Sequence, residues 1–223
     1  MFGDEQPVPE FVLKWSFLED DTLNSMNNLA NVYGDEGKYA QAEALHSQTV
    51  EIYRRVLGPD HPFTLYSLSD FAVMYQQQGK YSLAEKYAAQ ALAGRRHGLG
   101  REHPTTMSSA ADLALAYVSQ KKFSESEPLA HEAMEIDAKV QPEDWQRFRG
   151  ESLLGASLAG EKKYAEAEPL LLEGYHGMLA RKDRIAAPDR YHLQCAHQWL
   201  FQLYKDWGKP EKAAAIAKES NQP

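Results

Sequence analysis

One cysteine, Cys195, stands in 223 residues, so no internal disulfide is possible and a thiolate metal site lacks its sulfur. Basic residues are outnumbered: 24 Lys and Arg against 32 Asp and Glu leave a formal net charge of −8. A nucleic-acid binder is expected to carry a basic stripe, and a protein held on anionic lipid a basic patch. Both partner classes are therefore set aside. No run approaches the roughly 18 apolar residues of a membrane span. The start, Met1-Phe2-Gly3-Asp4-Glu5-Gln6-Pro7, lacks the basic end and apolar stretch of a secretion signal, which makes the cytoplasm the expected location. There is no phosphate-cradling glycine loop, no nucleophile elbow, no His-Glu-x-x-His and no kinase motif. These absences predict a chain that is not an enzyme and takes no cofactor or metal.

What is present is a period. Tyr33, Tyr75 and Tyr117 follow one another at 42 residues, as do Leu29, Phe71 and Leu113, and Ala30, Ala72 and Ala114. Tyr39, Tyr81 and Phe123 keep the same step, and so do Glu43, Glu85 and Glu127. A fourth unit follows with one residue deleted (Leu154, Gly155, Leu158, Tyr164, Ala167, Glu168), and a looser fifth contains Leu200, Tyr204, Gly208 and Ala213. Within a unit, Leu29, Ala30 and Tyr33 have the spacing of one helical stripe. Gly37, Gly79 and Gly208 interrupt that stripe where a left-handed residue ends a helix, while Lys121 and Lys162 take the same place in units three and four. A second helix is predicted to begin at the following aromatic. One such helix pair cannot bury its apolar face alone, and stacking the pairs makes a continuous core. The predicted fold is all-α, an α-solenoid of about five antiparallel helix pairs. It divides into an N-terminal extension or cap, 1–21, and one array, 22–220, with units near 22–63, 64–105, 106–146, 147–185 and 186–220.

The links between units are as regular as the units. Leu57-Gly58-Pro59-Asp60-His61-Pro62 recurs as Leu99-Gly100-Arg101-Glu102-His103-Pro104. Thr64, Thr105 or Thr106 is the predicted cap of the next helix. These residues, with Met26 to Tyr33 and Gly37 to Leu45, resemble the tetratricopeptide repeats of the kinesin light chain type. That subclass lengthens the second helix and carries a Leu-Gly-x-x-His-Pro connector. The resemblance spans roughly residues 22 to 217. It weakens where Val140 to Asp144 replaces the connector and where a longer link, Arg181 to Pro188, precedes the fifth unit. Similar arrays stand behind bacterial serine/threonine kinase domains, and the ending Leu203 to Ala213 looks most like that group.

The remaining chemistry-bearing residues read mostly as architecture. His61 and His103 occupy equivalent connector positions. His192 and His197 are five apart, off the spacing of a zinc helix. Asp20 and Asp21 complement a helix N-terminus. The recurring glutamate is expected to meet a neighbouring helix or backbone group, and Arg54, Arg55, Arg95 and Arg96 to be solvated or, failing that, to attract acids at the groove edge. Phe11, Val12, Leu13, Trp15, Phe17 and Leu18 make the extension too apolar for a solvated tail; it is read as a segment covering the first unit or the remnant of a preceding one.

The resemblance implies a concave groove lined by the first helix of each unit. Asn24, Asn27 and Asn31 are its predicted exposed positions in unit one, where asparagines both donate to and accept from an extended peptide backbone. Tyr66, Ser69 and Val73 follow in unit two, Ser108, Ala111 and Leu115 in unit three, and Arg149, Ser152 and Ala156 in unit four. The lysine and arginine clamp of chaperone-binding relatives is missing at the matching sites of units two and three. The predicted function is a protein-interaction module or scaffold that takes a peptide segment of a partner, as a monomer or weak homodimer. A structural spacer or self-association platform is the alternative.

Overall fold

The computed structural model describes residues 10–186 and 189–219, with side chains from residue 22 onward. Among these, ten α-helices follow in chain order: α1 Glu10–Asp35, α2 Tyr39–Val56, α3 Pro62–Gln77, α4 Tyr81–Leu99, α5 Pro104–Ser119, α6 Phe123–Val140, α7 Trp145–Gly160, α8 Tyr164–Leu179, α9 Tyr191–Asp206 and α10 Pro210–Glu219. Consecutive helices pack on one another throughout, and the first helices of successive pairs also touch. The fold is thus an α-solenoid of five helix pairs, with second helices beginning at Tyr39, Tyr81, Phe123 and Tyr164 as the spacing predicts.

Small residues allow the close approach inside each pair. Ala30, Ala72 and Ala114 are buried, as are Ala42, Ala84 and Ser126 opposite them. Gly155 takes the alanine position in unit four, where a Cβ would stand 2.8 Å from Leu171 Cγ. The stripe of α1 differs from the expected one. Leu23, Asn27, Ala30 and Gly34 are buried, whereas Leu29 is exposed.

Each tight turn closes with the same backbone pattern. In unit three Lys121 N–H bonds to Val118 O and Lys122 N–H to Tyr117 O; in unit one Gly37 bonds to Gly34 O and Lys38 to Tyr33 O. The first residue of each such pair is left-handed: φ is 73° at Gly37 and Gly79, 72° at Gly208, 61° at Lys121 and 66° at Lys162. A side chain there costs about 1 kcal/mol that glycine avoids. Lys121→Gly and Lys162→Gly are each expected to raise the unfolding free energy by about 1 kcal/mol, measurable by urea titration.

The lysine after each turn explains the recurring glutamate. Lys80 pairs with Glu43 (3.3 Å), Lys122 with Glu85 (2.7 Å), Lys163 with Glu127 (3.3 Å) and Lys209 with Glu168 (3.7 Å). Each pair therefore joins one unit to the next. Lys38, Lys80 and Lys122 also lie about 5.5 Å over the rings of Tyr33, Tyr75 and Tyr117, which gives the periodic tyrosine a role.

The connectors cap differently from expectation. His61 Nδ1 accepts from Phe63 N–H and His103 Nδ1 from Thr105 N–H, both at 3.3 Å. Thr64 instead donates to Gly58 O (2.8 Å), bracing the loop. The extension is resolved in part: residues 10–21 continue α1 as one helix, so they do not fold back over the first unit, and residues 1–9 lie outside the described region. No helix among the described residues is long and apolar enough to cross a membrane.

Candidate functional site

The first helices α1, α3, α5 and α7 carry every residue expected to line the groove. Asn27 is buried; its amide donates to Asp70 of the next unit, and its Oδ1 lies 3.2 Å from His46 Nδ1. Asn31, half-buried, donates to the same Asp70 oxygen at 2.9 Å. The asparagine ladder is thus closed upon α3 as a strut between units one and two. Asn24 accepts from Tyr53 Oη at 3.0 Å. Tyr66 is exposed, Val73 and Ser108 are half-buried, and Ser69 accepts from Arg95 at 2.9 Å.

Further along, the expected exposure gives way to burial. Ala111, Leu115, Arg149, Ser152 and Ala156 are all buried. Arg149 is ion-paired with Asp112, and Ser152 faces α8 at Gly174. Two things account for this. Ser152 lies on the side of α7 turned toward its own partner helix. The rest of the inner surface is covered by residues around the start of α9: Ile185 is buried in the main core, and Tyr191 lies among Val73, Asp112 and Leu115. Asp189 reaches Asn31 and Asp70. The departure of the 181–188 link from the repeat pattern was the only sign of this in the sequence.

Burial pushes the Asp70 carboxyl up to about 6, outweighing the amide donors Asn31 and Asn27 and the charge of Arg95. Its folded value therefore exceeds its unfolded one. The resulting stability is full below about pH 4 and is lost as pH rises through about 6. Asp70→Asn should remove about 1 kcal/mol of the gain that the wild type shows between about pH 7.5 and about pH 5. Denaturant titrations of both proteins at the two pH values check this, with His46 common to both. Burial lowers His46 to about 4, so its contribution has the opposite sign.

Two cavities open on the first helices. One, of about 550 Å³, is walled by Phe63, Leu65, Tyr66 and Leu99, with Asn24 at its edge and Arg95 among its lining residues. The expectation that Arg95 is solvated fails: its Nη1 donates to Ser69 and Ser109 and its Nη2 reaches Leu65 O at 3.5 Å, because α4 turns this side chain inward between α3 and α5. Sequence reasoning missed this residue, although the 42-residue step places it in the register of Tyr53 and Asp137, both buried, and not in that of Arg54 and Arg96. The other cavity, of about 670 Å³, lies among Lys121, Phe123, Lys162, Trp199, Leu203 and Asp206.

The tetratricopeptide repeat family models match residues 21–97 and 106–137. These two stretches are tetratricopeptide repeats. Among solved structures it is similar to the nearly identical TPR-like repeats of a kinesin light chain-type protein of Podosopora anserina, at 24% identity and a TM-score of 0.66, covering 91% of this chain and 98% of that one. A point variant of the same protein gives 24% identity and 0.68, covering 89% and 92%. BtubC (BKLC) from P. vanneervenii gives 18% identity and 0.66, covering 94% and 84%. No curated protein sequence matches the chain. Among the described residues, no group of three or more His, Cys, Asp or Glu is placed to hold a metal ion. His192 is buried against Tyr191 and Trp145. His197 Nε2 lies 3.0 Å from Ile216 O. Burial pushes the Cys195 thiol up to about 11, away from the range of a reactive thiolate.

Proposed function

We propose that the array is a cytoplasmic protein-interaction scaffold that seats a segment of a partner protein against units one to three. The supporting observation is the 550 Å³ cavity. It is apolar, it opens beside the exposed Tyr66, and it contains Asn24 and Tyr66 from the groove positions predicted by repeat register. Large aromatic side chains at such openings carry much of the energy of protein recognition. Asn31 and Ser108 remain accessible in part and supply polar contacts, whereas Asn27, Ala111, Leu115, Arg149 and Ser152 act as supports beneath the surface. In a panning experiment with random peptides on the folded array, selected binders should lose about tenfold or more in affinity for Tyr66→Ala. Binders that are indifferent to Tyr66→Ala and to Phe63→Ala would place recognition elsewhere.

A further inference from the structure

A third cavity, of about 490 Å³, lies between the second helices α2 and α4. Arg54 and Arg55 line it from α2, Lys86, Tyr87 and Gln90 from α4, and Phe71 of α3 closes its floor. It shares no lining residue with the 550 Å³ cavity. The floor is apolar and aromatic: Val50 and Phe71 are buried, and the Phe71 and Tyr87 ring centroids are 4.4 Å apart. The rim is cationic, and among the described residues none of its three cations is ion-paired. Arg54 Nη2 donates to the neutral Gln90 at 2.8 Å, Lys86 Nζ lies 5.2 Å from the Tyr87 ring centroid, and Arg55 is exposed. The repeat shows what is missing. At the next boundary, 42 residues on, Arg96 stands for Arg54 and Glu132 for Gln90, and there the arginine meets a carboxylate at 2.6 Å. At the boundary after that the arginine position is Ala138. The α2–α4 boundary alone keeps the arginine and replaces its acid with an amide, in a chain whose net charge is −8.

We infer that this cavity receives a phosphorylated tyrosine side chain of a partner protein. Arg54, Arg55 and Lys86 face one lining acid, Glu51, which leaves two positive charges to neutralise. The next acid along α2, Glu43, is already taken by Lys80 at 3.3 Å. A phosphate monoester carries roughly −1.5 to −2 near neutral pH and three strong acceptor oxygens, whereas a carboxylate brings a single charge. Arginine forks also suit phosphate oxygens, which they bind two at a time. The floor accounts for the ring. Val50, Phe71 and Tyr87 form an apolar patch beside the cations, on which an aromatic side chain stacks. Phosphoserine and phosphothreonine have no ring and leave that patch to water. The inference is independent of the groove reading, because this cavity belongs to the second helices.

Calorimetric titration of the full chain with N-acetyl-phosphotyrosine amide tests this, beside inorganic phosphate, the phosphoserine analogue and the unphosphorylated tyrosine amide. Phosphotyrosine should bind about tenfold or more tighter than each of the other three. Added salt should weaken it. Arg54→Gln with Arg55→Gln should lower that affinity by about tenfold or more, with unchanged helical circular dichroism, since both side chains are exposed. Gln90→Glu copies Glu132 of the next unit. It should give Arg54 an ion pair and abolish phosphotyrosine binding while the thermal midpoint stays the same or rises, a combination that a misfolded variant would not show. Three results overturn the inference: no saturable binding at millimolar phosphotyrosine, inorganic phosphate or phosphoserine binding as tightly, or binding indifferent to Gln90→Glu.

Discussion

Arg149→Ala is expected to lower the unfolding free energy by about 4 kcal/mol, the range for removing one member of a buried ion pair. Arg149 is enclosed by α5, α7 and the start of α9, and its guanidinium meets the Asp112 carboxylate. Without it, the Asp112 carboxylate loses its ion-pair partner in a largely buried site. The loss should therefore be much smaller in Arg149→Met combined with Asp112→Leu, where neither charge is stranded. Urea titration of the two proteins decides the matter. A double variant as unstable as the single one would mean that packing around Arg149, and not its charge, holds α5 to α7. Asp189 and Tyr191 also feel the Arg149 charge, so the single variant should loosen the start of α9. Faster amide exchange there than in α2 is the expected signature.

Gly174→Ala should cost about 3 kcal/mol for a steric reason. A Cβ at Gly174 would lie 2.2 Å from Ser152 Oγ, 2.6 Å from Phe148 O and 2.7 Å from Ser152 N. Two of those atoms are backbone, so no rotamer change relieves the contact, and α7 and α8 must move apart. Gly98→Ala on α4 is the control, because nothing lies within 4 Å of a Cβ there. That substitution should be neutral or stabilise by up to about 1 kcal/mol through helix propensity. Equal losses at both positions would remove the case for a close contact between α7 and α8.

Much of this architecture was legible in the sequence. The step of 42 between Tyr33, Tyr75 and Tyr117 located the first helices, and the left-handed turn was readable at Gly37 and Gly79. Because φ there is a local property, the same inference reached Lys121 and Lys162. The recurring glutamate reaches across the unit boundary, where it pairs with the lysine of the next tight turn. The candidate site was less legible, since a position in the repeat says where a side chain starts and not what comes to rest on it. Leu29 and Phe71 are equivalent by register, yet one is exposed and the other buried, because only Phe71 has a preceding pair to cover it. Asn27 was read as a free amide; the carboxylate that accepts its hydrogen bond, Asp70, is 43 residues away. Leu115 and Arg149 were read as groove surface and are covered by residues from an irregular link, which has no register to reason from.

The lysine–glutamate contacts at the unit boundaries bear on how the array responds to force. Such rungs cross the boundaries, two of them at Glu168, and their lysines are about one-third to one-half exposed, so they are open to screening by dissolved ions. Extending the superhelix lengthens all of these rungs together, while the alanine-lined contacts within each pair are left unstrained. The protein should accordingly behave as a spring whose stiffness falls as ionic strength rises, with its pitch, rather than its fold, as the property that salt adjusts.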